Sequence, residues 1–205
     1  DDDVWELYHV AEDFSEANNL ADQHPEKLAE LKALWEQEAW RYNVFPLYDD
    51  VLKRGAKRTA RLFGGKTQFT YFYPGARRIA ETVAAPIKAV SHQIKTSIDL
   101  SGDESGVIVS EGGVEGGFSL YIEKRRLHYD YRWIDGSFYR LKSKKLSKGK
   151  TDLAFHYEKT GMISGKGHLL VNGDIVDSVD MPQVAFGKFS LSETFDVGSD
   201  TGTTV

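Results

Sequence analysis

The 205-residue sequence contains no cysteine, which excludes a disulfide framework, a thiolate nucleophile and a cysteine-type zinc site. Proline is scarce, at 5 residues, and no run approaches the roughly 20 apolar residues that a membrane-spanning helix needs. The start, DDDVWELYHV, lacks both a basic segment and an apolar one. It is therefore read as having no signal peptide and as a chain cut from something longer, with periplasmic, secreted and cytoplasmic locations all open. Hydrophobic residues make up 40% of the chain and aromatics 12%, too much apolar surface for disorder even at 28% charged residues. A folded, soluble protein of one sizeable domain or two small ones is expected.

Charge is distributed in blocks. Residues 1–50 carry 14 acids and 3 bases, residues 51–80 carry 8 bases and no acid, and the whole chain has a net charge of −5. Overall acidity argues against a nucleic-acid-binding domain. The blocks are read as solvated faces of opposite sign, or as faces that dock on each other or on a partner.

Periodicity changes along the chain. Val4 to Val10 alternates as a short strand. Pro25 then suits a first helical turn, Glu26 sits at the positive end of the helix dipole, and Leu28, Leu31, Trp35 and Tyr42 share one apolar face. Val44 to Pro46 ends this helix. From Asp49 to Pro86 the pattern is irregular apart from a strand-like TQFTYFY. After about Ser91 the period becomes 2, in seven or more short segments separated by Asp135-Gly136, Asn172-Gly173 and other turns, which predicts an antiparallel β-sandwich. Both dipeptides are expected to form type I′ turns.

These residues also carry a resemblance. WELYHVAEDFSEANNLADQHPEKLAELKALWEQEAWRYNVFPL is similar to the C-terminal segment of bacterial arylsulfatases. FTYFYPGARRIAETVAAPIKAVSHQI, GGVEGGFSLYIE and SETFDVGSDTGTTV resemble, in the same order, the junction and terminal β-sandwich of large members of that family. Together they span essentially the whole chain. The fold expected is α+β and mainly β: an antiparallel β-sandwich of concanavalin or laminin-G-like kind, preceded by a strand-helix segment. The division expected is 1–50 for that segment, 51–90 for a connector docking on a catalytic body, and 91–205 for the sandwich. The family's nucleophile is a formylglycine made from the Cys or Ser of (C/S)-x-P-x-R. No such motif occurs here: around Pro74, Phe72 stands at the nucleophile position and Ala76 at that of the arginine. The resemblance implies that the parent enzyme uses a formylglycine with Ca²⁺ or Mg²⁺, held by aspartates and an asparagine in the N-terminal catalytic body. That body is the implied partner.

Other candidates are weaker. Asp49-Asp50 and Asp1 to Asp3 read as solvated turns, and Asp196 and Asp200 as a structural turn in preference to a calcium loop. The six histidines include no metalloprotease pair, so no metal ligand is assigned. Gly112, Gly113, Gly116 and Gly117 read as a turn or bulge, and no serine has a nucleophile-elbow setting. Tyr129, Tyr131 and Trp133 share one face of a strand, either as a sugar-binding platform or as sandwich core. Lys142, Lys144, Lys145, Lys148 and Lys150 read as a solvated hairpin rim or as an attraction for a sulfated glycan. Tyr73, Arg77, Arg78 and His92 are candidates for the contact with the catalytic body or for the substrate rim, because an arginine fork suits a sulfate.

Two functions stay open: the non-catalytic C-terminal region of a sulfate-ester hydrolase, or a free-standing carbohydrate-binding sandwich. Self-association is expected through an apolar helix face or through an unpaired edge beside SETFDV. Neither membrane nor nucleic acid is expected as a partner.

Overall fold

The computed structural model describes residues 4–47 and 62–205. Asp1 to Asp3 and Asp49-Asp50 lie outside the described residues. The chain forms two compact units, Asp1–Arg58 and Thr59–Val205.

The first unit is built on helix α1 (Pro25–Arg41), with Pro25 and Glu26 in its first turn and Arg41 in its last. These placements leave the prolyl nitrogen where no donor is needed and match each charge to the helix dipole. Val4 to Val10 does not form the expected strand. Among the described residues its backbone has only local partners: Leu7 accepts a hydrogen bond from the Leu20 N–H at 2.8 Å and donates one to Asn19 Oδ1 at 3.0 Å. Without a second strand the alternation has no ladder to join. Instead Trp5 meets Trp35 edge to face, with ring centroids 5.5 Å apart, and Phe45 lies 5.3 Å from Trp35 and 5.0 Å from Trp40. Of the helix residues only Ala39 is buried; Leu31, Leu34, Trp35 and Trp40 remain exposed.

The second unit is an antiparallel β-sandwich. Its strands are β1 (Ile79–Ala80), β2 (His92–Leu100), β3 (Gly106–Gly113), β4 (Gly116–Glu123), β5 (Arg126–Arg132), β6 (Phe138–Lys142), β7 (Gly149–Lys159), β8 (Gly165–Val171), β9 (Asp174–Met181) and β10 (Thr194–Val197). One sheet has six strands in the order β1-β10-β3-β4-β5-β6, and the other has four in the order β2-β7-β8-β9. Leu120, Tyr129 and Leu141 stand in register across β4, β5 and β6 and all face the interlayer core. Tyr129 stacks on Phe155 of the other sheet with ring centroids 3.5 Å apart. A large apolar side chain fully buried in this way contributes about 1.5–3 kcal/mol.

Several expectations change. TQFTYFY is not a strand: its Tyr71 packs against Phe195 at 4.6 Å, and the Tyr71 hydroxyl accepts a hydrogen bond from the Ala85 N–H. The boundary at 91 moves, because β1 already pairs with β10 and Ile79 and Ile87 pack on the core. In the described part of the connector, Tyr71, Ile79 and Ile87 are thus covered by its own sandwich. The edge beside SETFDV is not open either: β10 lies between β1 and β3. At Asp135-Gly136 only the glycine has positive φ, +90°, because Trp133 and Ser137 close a three-residue loop rather than a two-residue turn. Asn172 and Gly173 adopt φ of +52° and +92°, the type I′ turn as expected.

Candidate functional site

An open cleft of about 290 Å³ is lined by Arg77, Arg78 and Thr201. The turn Phe72 to Arg78 and the loop Gly198 to Thr203 form it, and both are held by β10. The Ala76 carbonyl accepts from the Val197 N–H at 2.8 Å, extending the ladder past β1. Arg78 takes a left-handed φ of +53° and aims its N–H at Asp196 Oδ1, 2.7 Å away. Asp196 is 1% exposed and also accepts from the Thr194 and Thr201 hydroxyls at 3.0 and 2.7 Å. Burial alone would push its carboxyl up; the Arg78 N–H and the two hydroxyls outweigh that and hold it below the usual carboxylate range.

Arg77 donates from Nε to Ser199 Oγ at 3.1 Å. The Ser199 carbonyl in turn accepts from Ser110 Oγ at 3.2 Å, fastening the loop over the outer face of β3. Tyr73 packs on Gly198, whose φ is +74°. A Cβ there would fall 2.3 Å from the Tyr73 ring, so both the backbone and the close approach require glycine. Among the described residues the Arg78 guanidinium has neither an ion pair nor a hydrogen-bond partner. The cleft therefore presents two planar cationic forks, the arrangement that recognises an oxyanion. Both oxygens of Asp196 are engaged by the Arg78 N–H and the two hydroxyls, so this carboxylate serves the loop and not a proton transfer.

Tyr73, Arg77 and Arg78 are thus brought together, but His92 is not. It opens β2 in the four-stranded sheet, 5.5 Å from the Tyr157 ring. Its Nδ1 lies 2.8 Å from the Val90 carbonyl. Burial pushes its pKa down to about 4, so it is neutral near pH 7. Tyr129 and Tyr131, 2% and 5% exposed, lie between the sheets and offer no ring to a sugar. Trp133 is half-buried against Phe189 and Gly116. The platform reading is therefore corrected: the inward register of β5 makes this row core.

The Ca²⁺ or Mg²⁺ implied for the parent enzyme does not fit the residues here. Among the described residues no three His, Asp or Glu side chains converge as a cation site. Asp196 is taken up by donors, and burial raises the Asp200 carboxyl, opposed by the Gly202 N–H and reinforced by the charges of Asp196 and Glu193.

One cluster escaped the sequence reading. Lys88 joins Glu81 at 2.9 Å and Glu111 at 2.5 Å, and Glu111 is fully buried. Glu81 also accepts from the Phe189 and Ser190 N–H groups at 2.8 and 3.2 Å. The signal was present: period 2 in GVIVSEGG places Glu111 on the same face as Val109.

No family model and no curated protein matches the chain. Among solved structures it is similar to domains LG4-5 of the mouse laminin alpha1 chain, at 20% identity and a TM-score of 0.38 over 53% of this chain and 28% of that one. It is also similar to the receptor-binding domain of botulinum neurotoxin type G, at 11% identity and a TM-score of 0.39 over 56% of this chain and 31% of that one. The chain spans less than a third of the length of either.

Proposed function

We propose that this chain is the C-terminal region of a sulfate-ester hydrolase of the arylsulfatase type, non-catalytic by itself, whose Arg77–Arg78 cleft contributes to the rim of the parent's active site. The observation that carries this reading is the ordered similarity of residues 5–47, from WELYHV to VFPL, to the end of bacterial arylsulfatases. Two features of the structure support it. Leu31, Leu34 and Trp35 are 38%, 50% and 40% exposed on one face of α1, an apolar surface of the kind that a larger body covers. The paired arginines of the cleft match the chemistry of a sulfate group. The nucleophile and metal ligands belong to the catalytic body, and no step is assigned to them through this chain.

The test has two parts. The purified chain should leave an aryl sulfate untouched, and the coding region upstream should contain (C/S)-x-P-x-R. Absence of that motif, or turnover that depends on a residue of this chain, overturns the reading. In the parent enzyme, Arg77→Ala should raise KM for the sulfate ester while the enzyme stays folded; unchanged kinetics would reduce Arg77 to an anchor for the loop.

A further inference from the structure

A second cationic surface lies at another end of the sandwich, where β4 turns into β5 and β6 leads into β7. Residues 143–146 continue alongside the start of β5: the Ser143 N–H donates to the Leu127 carbonyl at 2.9 Å and the Leu146 N–H to the Arg125 carbonyl at 2.7 Å. This ladder sets Lys144 and Lys145 beside the Lys124–Arg125 turn, with Lys148 just beyond. Asp103 braces two of the cations, lying 3.2 Å from Arg125 Nε and 3.0 Å from Lys145 Nζ. Lys124, Lys144 and Lys148 are exposed, and among the described residues none of them has an ion pair. In a chain of net charge −5, this is a concentrated positive surface.

The backbone supplies an independent observation. Lys124 and Arg125 form a two-residue hairpin turn with φ of +49° and +58°, a left-handed conformation that L side chains resist and that Asn-Gly adopts readily. The same sandwich uses Asn172–Gly173 for its β8–β9 turn. At the β4–β5 turn it instead holds two long cations in strained backbone, the kind of strain that clusters at functional positions.

We propose that this end of the sandwich binds a linear sulfated polysaccharide, whose repeated anions track across Lys124, Arg125, Lys144, Lys145 and Lys148. The chemistry favours a glycan over a nucleic acid: neither 123–126 nor 143–148 contains an aromatic residue, and single-stranded nucleic acid is held largely by base stacking on such rings. The proposal stands on charge and geometry alone and does not rest on the sulfatase reading.

The experiment measures binding of the full chain to heparin, to fully desulfated heparin and to a single-stranded DNA oligomer at two salt concentrations. Heparin is expected to bind, more weakly at the higher salt, with desulfated heparin and DNA at least tenfold weaker. The triple variant Lys144→Gln, Lys145→Gln, Lys148→Gln should lose at least tenfold in heparin affinity, whereas Lys27→Gln with Lys32→Gln on α1 should not change it. Lys124→Asn separates binding from folding, since it should weaken heparin binding while leaving the melting temperature unchanged or higher. Failure of the chain to bind heparin at low salt, equal affinity for DNA, or undiminished binding by the triple variant would each overturn the proposal.

Discussion

The ammonium of Lys88 lies 2.5 Å from the Glu111 carboxylate, inside a layer that leaves Glu111 no exposed surface. The pair ties the segment before β2 to β3, and Glu81 extends it to the loop before β10 through Phe189 and Ser190. Removing one member strands the other's charge in an apolar setting. Lys88→Met should therefore cost about 3–5 kcal/mol in urea denaturation at pH 8. Adding Glu111→Gln should recover part of that loss, because the stranded charge is gone. Additive effects of the two substitutions would contradict the pairing.

The pH dependence of stability should carry two opposed contributions. Burial pushes Glu111 from 4.5 up to about 7, with Lys88 resisting the rise; the folded state then binds the extra proton, so stability falls as pH climbs from 4.5 to 7. Burial pulls His92 from 6.5 down to about 4; here the unfolded state binds the extra proton, so stability is present above 6.5 and lost as pH falls towards 4. Each slope is at most about 1.4 kcal/mol per pH unit. Between pH 4.5 and 6.5 the two oppose each other. His92→Gln should expose the fall with rising pH, and Glu111→Gln the rise, in denaturation midpoints measured across that range.

At the arginine cleft, backbone and side chain of one residue separate cleanly. Arg78→Gly keeps the N–H that bonds Asp196 and relieves the left-handed φ, so stability should stay within about 1 kcal/mol of native. Asp196→Ala leaves that N–H and two hydroxyls without their acceptor and should cost about 3 kcal/mol. The stability that Asp196 lends is present above its unfolded value of 3.8 and is lost as pH falls below it. Sulfate protection of the native chain against urea should weaken in Arg78→Gly if the guanidinium helps to hold the anion.

The exposed face of α1 should make the isolated chain associate with itself. Sedimentation is expected to show mass rising with concentration, and Leu31→Glu with Leu34→Glu should restore a monomer. A clean monomer in the native chain at high concentration would remove this support for a covering catalytic body.

Much of the sandwich was legible because hairpin neighbours share a local signal. His92–Leu100 alternates as predicted, and Asn172–Gly173 marks its turn by residue type. Elements defined by distant partners were not legible. Nothing in Ile79–Ala80 announces a strand, since its pairing with Phe195 and Thr194 is set by the tertiary fold. The stretch from Val4 alternates like a strand yet has none beside it among the described residues. At the cleft, Arg77 and Arg78 were singled out from the sequence, whereas their union with Thr201, through Asp196, depends on a loop more than 100 residues away. His92 was misplaced because sequence proximity to the connector does not reveal which sheet a strand joins.

The insertion of β10 between β1 and β3 also bears on how the chain matures on the ribosome. Six buried interlayer aromatics and the Lys88–Glu111 pair precede residues 194–197 in the chain, yet the gap in the larger sheet stays open until those residues arrive. During that interval β3 offers an unpaired edge to any neighbouring nascent chain. A late-arriving strand that closes the sheet makes the emergence of β10 the step that ends this exposure.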